Sequence, residues 1–180
     1  MKILLLVLLS LTLYADLKHE MFTLYQNKKF KEVCNKGFTN LYPNKKDEEF
    51  VTLYALACLK SDYIDRLSIP IAILKQSPEA RSNSAYFSVI LMQKKLLYHS
   101  LVDNYDLHAF KLPTTDYVLS KVFDLYSKIS KHSPRAYYLL EDTQDKKLSY
   151  KLYISTESMI DKLIIEEFYD TIKIKHHIYW

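Results

Sequence analysis

Residues 172–180 read Ile-Lys-Ile-Lys-His-His-Ile-Tyr-Trp. Ile172, Ile174, Ile178 and Trp180 keep the two-residue period of a strand, in which alternate side chains share a face. Upstream, Tyr150, Leu152 and Ile154 alternate in the same way, and Leu163 to Phe168 is a short apolar run before a turn at Tyr169-Asp170. These segments predict an antiparallel meander of three strands, with a fourth if Tyr137 to Leu140 joins it. Trp180 then anchors an edge of the sheet. A helix over Thr156–Phe168 is the competing assignment.

Before Pro134 the period is helical. Leu17, Met21, Phe22, Leu24 and Tyr25 mark a first helix over Asp16–Asn27, with Asp16 as its N-cap. Phe30, Val33, Cys34 and Phe38 mark a second over Lys29–Leu41, closed by Pro43-Asn44. A third begins at Asp47, where Glu48 and Glu49 suit the positive end of the helix, and buries Phe50, Leu53, Tyr54, Ala57 and Cys58. A fourth follows Ser61-Asp62 through Ile64, Leu67, Ile71 and Leu74, kinked or shortened at Pro70. Ser77-Pro78-Glu79 opens a fifth that runs toward Leu101 and is apolar nearly all round, the expected central element. After a loop from Asp103 to Pro113, Thr114 caps a last helix carrying Val118, Val122, Leu125 and Ile129, which ends at His132-Ser133-Pro134. Helices followed by a sheet give an α+β class, with a helical domain over 16–133 and a small β-sheet subdomain over 134–180.

The helices also repeat. Leu17, Met21, Leu24, Phe30 and Val33 recur 34 residues on as Val51, Ala55, Cys58, Ile64 and Leu67, and again as Ala85, Val89, Met92, Tyr98 and Leu101. A 34-residue helix–turn–helix period resembles that of tetratricopeptide repeat proteins, over residues 16–102. The resemblance implies antiparallel helical hairpins that offer a surface to another protein. Two departures stand out. The small residues that family places at its tight packing points are replaced here by Tyr25, Leu59, Val33 and Leu67. Nothing interrupts Met92 to Tyr98, so the third unit also reads as one long helix.

At the other end, Lys2, an apolar run from Ile3 to Leu9 and a stretch ending at Ala15 have the order of a bacterial secretory leader, with Asp16 as first residue of the mature chain. Leu13 is large for a position three residues before the cut. The alternative, an uncleaved anchor, meets an apolar stretch over by Tyr14, well short of the roughly 20 residues a membrane span needs. A periplasmic or secreted location follows, with no membrane span once the leader is removed. Two cysteines in an oxidising compartment point to a Cys34–Cys58 disulfide. They lie at similar heights if the helices ending near Leu41 and starting near Asp47 are antiparallel neighbours; otherwise they are two buried small hydrophobes that never meet.

Composition excludes several functions. The only glycine is Gly37, so phosphate-cradling loops, dinucleotide turns and nucleophile elbows are absent. Net charge is +4, with lysines scattered among acids, and no nucleic-acid partner is read from it. No cofactor is expected. His176 and His177 lie beside Glu166 and Glu167 across a hairpin, but adjacent strand residues point to opposite faces and do not share an ion, so no metal site is assigned. A Cys58–His99 nucleophile pair lacks local support, and no catalytic residue is assigned. An outer-membrane barrel needs at least eight strands, for which the helical residues leave no room.

The sequence contains 16 Tyr and 8 Phe, more than a domain of this size buries, and tyrosine is favoured at interfaces. Tyr25, Tyr137 and Tyr138 are candidate groove residues; Lys94, Lys95 and His99 are a candidate basic edge of the long helix. The expected function is a non-enzymatic protein–protein interaction module in the bacterial cell envelope, its partner another envelope protein. The alternative is an envelope enzyme or small-ligand-binding protein with its site between the helices and the sheet.

Overall fold

The computed structural model describes residues 17–129, 132 and 135–179. The leader, the Asp16 cap, Ser133-Pro134 and Trp180 lie outside the described residues. Along the described chain, α-helices come first and a four-stranded antiparallel sheet last, an α+β fold. The chain divides into two units between Ser84 and Ala85, inside a helix.

The first unit holds α1 (17–26), α2 (Phe30–Thr39), α3 (Leu41–Asn44), α4 (Glu48–Lys60), a 3-10 turn (Ile64–Leu67), α5 (Ser68–Ile73) and the start of α6 (Pro78–Asp103). Asp47 caps α4 as its Oδ1 accepts from the Phe50 N–H at 3.1 Å. Its buried face carries Val51, Tyr54, Ala55 and Cys58, and α2 packs there through Val33, Cys34 and Gly37. Cys34 and Cys58 form a disulfide, with Cα atoms 4.8 Å apart. Such a bond fits a chain that works in an oxidising compartment. A Cβ on Gly37 would lie 2.6 Å from Tyr54 Cδ2 and 2.8 Å from Tyr54 Cβ, so this helix contact requires glycine.

The fourth helix is a 3-10 turn followed by α5, which runs through Pro70 to Ile73, so Pro70 sits in the first turn of α5 and does not end it. With no N–H to give, Pro70 leaves the Arg66 carbonyl, four residues back, free to accept from Tyr54 Oη at 3.4 Å. The two hairpin turns match across 34 residues. Lys28 and Asp62 adopt the left-handed conformation (φ 58° and 63°). In the first turn the Lys29 N–H bonds Leu24 O and the Lys28 N–H bonds Tyr25 O; in the second, Tyr63 bonds Cys58 and Asp62 bonds Leu59.

The second unit holds the remainder of α6, α7 (Val118–Ser127) and strands β1 (Tyr138–Glu141), β2 (Leu148–Ser155), β3 (Lys162–Tyr169) and β4 (Ile172–Tyr179), in spatial order β1-β2-β3-β4. The expected fourth strand exists as β1, from Tyr138 rather than Tyr137. The competing helix over Thr156–Phe168 reduces to a 3-10 turn at Glu157–Met159. From Leu163 to Glu166 every residue of β3 is buried, as suits a strand paired on both sides. α7 lies against β1, with the Tyr126 ring edge-on to Tyr138 at 4.9 Å.

The strand at 172–179 exists, and its inner face belongs to His177 and Tyr179, which are buried, while Ile172, Ile174 and Ile178 are exposed. A bulge near Ile174 breaks the alternation, and the inner face goes to side chains with polar partners, Tyr117 Oη for Tyr179 at 3.4 Å and Glu167 for His177 at 2.8 Å. α7 starts at Val118, so Thr114 is not its cap; the Ser120 hydroxyl reaches back instead to accept the Thr115 N–H at 2.7 Å. α6 is not buried all round, since Met92 is 53% exposed.

Candidate functional site

In the first unit, α1, α4 and the start of α6 enclose an open groove of about 630 Å³. α1 contributes Lys18, Phe22 and Tyr25, spaced four and three apart on one helix face, with His19 beside them. Met21, three residues after Lys18 and four before Tyr25, is buried and does not line the groove. α4 contributes Glu49, Thr52, Leu53 and Leu56, the stripe left open by the face that packs on α2. Leu53, expected in the core, therefore lines the groove. Ala80 and Glu79 close it from α6.

The floor is thus apolar and the rim charged. Lys18 Nζ lies 2.7 Å from Glu49 Oε2 and 3.1 Å from Asp47 Oδ2; the Glu49 bond is the chief cause that raises the Lys18 pKa. Burial raises the Tyr25 phenol pKa. Glu48 has a structural task. Its Oε1 accepts from the N–H groups of Gln76 at 2.7 Å and Lys75 at 3.1 Å, and its Oε2 from Ser77 at 3.0 Å. Those donors, Gln76 foremost, hold its pKa down at about 2. Ser77 Oγ in turn caps α6 by accepting from Ala80 N at 3.0 Å. One carboxylate therefore fixes the start of α6 against the start of α4 and sets the width of the groove.

A second hollow, about 470 Å³ in the other unit, is lined by Asp116, Asp124 and Asp142 among others. Its acids are already engaged. Asp142 accepts from Tyr150 Oη at 2.9 Å and Gln144 N at 2.8 Å, Asp116 from Tyr86 Oη at 2.7 Å, and Asp124 pairs with Lys128 at 2.6 Å. Burial works against ionisation of Asp142, yet its hydrogen bonds prevail and its pKa is lowered.

Of the candidate binding residues, Tyr25 lies in the groove, and Lys94, Lys95, His99, Tyr137 and Tyr138 belong to the second unit. Lys95 and His99 are exposed on one face of α6, one turn apart. His99 Nδ1 meets Asp103 at 2.8 Å and its ring stacks on Tyr105. Lys94 is 4% exposed, with its ammonium 5.8 Å from the Tyr98 ring centre, and is not part of an exposed edge. Tyr137 is exposed beneath Lys151 while Tyr138 is buried, so the pair does not share a surface. Cys58 lies in the disulfide and is no nucleophile. Among the described residues, no group of three or more His, Cys, Asp or Glu could hold a metal ion.

Phe22, Thr52, Leu53 and Leu56 were not foreseen as lining residues. The 34-residue period contains them: Lys18, His19 and Phe22 recur as Thr52, Leu53 and Leu56, one helix position beyond the apolar set that begins at Leu17 and Val51. No protein-family model, curated protein or solved structure matches the chain.

Proposed function

We propose that this chain is an exported, tetratricopeptide-like interaction module of the bacterial cell envelope, non-enzymatic, working in the periplasm or outside the cell after a leader ending at Ala15 is removed. The observation that carries this reading is the groove, in which the first helices of successive hairpins, α1, α4 and α6, present apolar side chains to the outside. The matched turns at Lys28 and Asp62 support a repeated hairpin. The disulfide supports export. A groove this apolar on an extracytoplasmic protein is a place for a segment of another envelope protein.

Photo-crosslinking in intact cells tests it. A photoreactive amino acid at Thr52 or Phe22 is expected to capture one defined envelope protein, whereas the same probe at the exposed Lys31 and Lys60 is not. Equal capture from both pairs of positions, or none from the groove, rejects the module reading.

A further inference from the structure

We infer that the groove takes a cationic amphipathic segment of a partner polypeptide, with bulky apolar side chains on the floor and lysine or arginine against the rim. This rests on the groove reading above and adds the chemistry of the occupant.

The whole chain carries +4, yet the groove gathers Glu48, Glu49 and Glu79 around Lys18. That lysine pairs with both Glu49 and Asp47, one cation against two carboxylates, so this cluster keeps a net negative charge. Glu48 stays ionised because three backbone N–H groups hold it. Glu79 is exposed and, among the described residues, has no ion-pair partner. The rim is therefore acidic on a basic protein. An acidic segment would meet repulsion from it, and a cationic one attraction. The floor asks for apolar side chains as well, since Phe22 is 49% exposed beside Leu53 and Leu56. From Glu49 to Leu56 the lining stripe of α4 covers two turns, about 10 Å, which matches two or three anchors spaced along a short amphipathic helix.

The overall charge makes the inference sharp, because a chain of +4 without this local reversal favours acidic peptides. The test uses two fluorescent 15-residue peptides with the same leucine stripe, one carrying lysine and the other glutamate at the remaining positions. Binding to the full mature chain is read by anisotropy. The lysine peptide is expected to bind about tenfold more tightly at low salt, with the gap closing in high salt. Glu49→Lys with Glu79→Lys is expected to abolish or invert that preference, and Thr52→Trp, which fills the groove without adding charge, to remove both peptides. Circular dichroism of each variant separates loss of binding from loss of fold.

Equal affinities, or preference for the glutamate peptide, overturn the cationic occupant and leave the groove reading standing. Binding of neither peptide, or binding that survives Thr52→Trp, overturns both. A doubling of the solution mass that Thr52→Trp abolishes assigns the groove to a second copy of the chain and overturns the inference.

Discussion

The two units are held by different chemistry. The first has a covalent bond between α2 and α4, a glycine contact beside it and a carboxylate clasp at the start of α6. The second has no cysteine, and several of its buried polar groups are hydrogen-bonded phenols: Tyr126 on Ser100 at 3.1 Å, Tyr150 on Asp142, and Tyr179 on Tyr117. Stability in the first unit should thus follow redox state and helix spacing. In the second it should follow the protonation of side chains removed from water.

The largest effect that would break this contrast is loss of the disulfide. A bond closing a loop between residues 24 apart is worth about 3 kcal/mol on the chain-entropy account. Cys34→Ser with Cys58→Ser, or reductant, is expected to raise hydrogen exchange throughout residues 17–84 and to leave the sheet amides nearly unchanged. Equal acceleration in both units would show that the contrast is false.

Gly37→Ala comes next. With Tyr54 atoms at 2.6 Å and 2.8 Å from the added carbon, α2 and α4 must separate, at a cost of about 1–3 kcal/mol. Denaturant titration measures it, and a neutral result would mean that this helix contact yields freely.

Alkali probes the other unit. Burial raises the Tyr126 pKa from 10.0 to about 12 and raises those of Tyr86 and Tyr150 further; in the first unit Tyr54 is raised to about 12 and Tyr25 less. For a group whose pKa is higher folded than unfolded, the contribution is complete below pH 10 and lost as pH climbs through the folded value. The sheet unit should therefore unfold first above pH 10, seen as its amides exchanging before those of α2 and α4. Tyr126→Phe should shift that loss to higher pH.

The smallest effect sharpens the repeat. Lys28 and Asp62 occupy left-handed backbone that glycine adopts without penalty, so Lys28→Gly and Asp62→Gly should each stabilise by up to about 1 kcal/mol. Opposite signs at the two positions would show that the matched turns are not equivalent.

Much of this was legible beforehand. The change of period at Pro134 carried the α+β class, and the near-equal distance of Cys34 and Cys58 from their connecting loop carried the disulfide. The face of β4 was not legible. Alternation marks two faces without saying which is inward, and here Tyr179 and His177 were drawn in by hydroxyl and carboxylate partners more than 9 residues away in sequence. The groove was half legible. Apolar periodicity places Phe22 and Leu53 on a helix stripe, but a stripe wide enough to cover α2 and still leave a margin looks in sequence like a wider core. Tyr25 emerged only because an excess of tyrosine has to go somewhere on the surface.

The Glu48 clasp has a consequence for how this sequence can drift. Its three donors are backbone N–H groups, so the side chains of Lys75 and Gln76 are irrelevant to it and open to almost any replacement except proline, which has no N–H to give. All of the constraint falls on the acceptor, where aspartate is one methylene too short and glutamine offers a single oxygen. In an alignment of relatives, position 48 should stand nearly invariant beside two neighbours that wander.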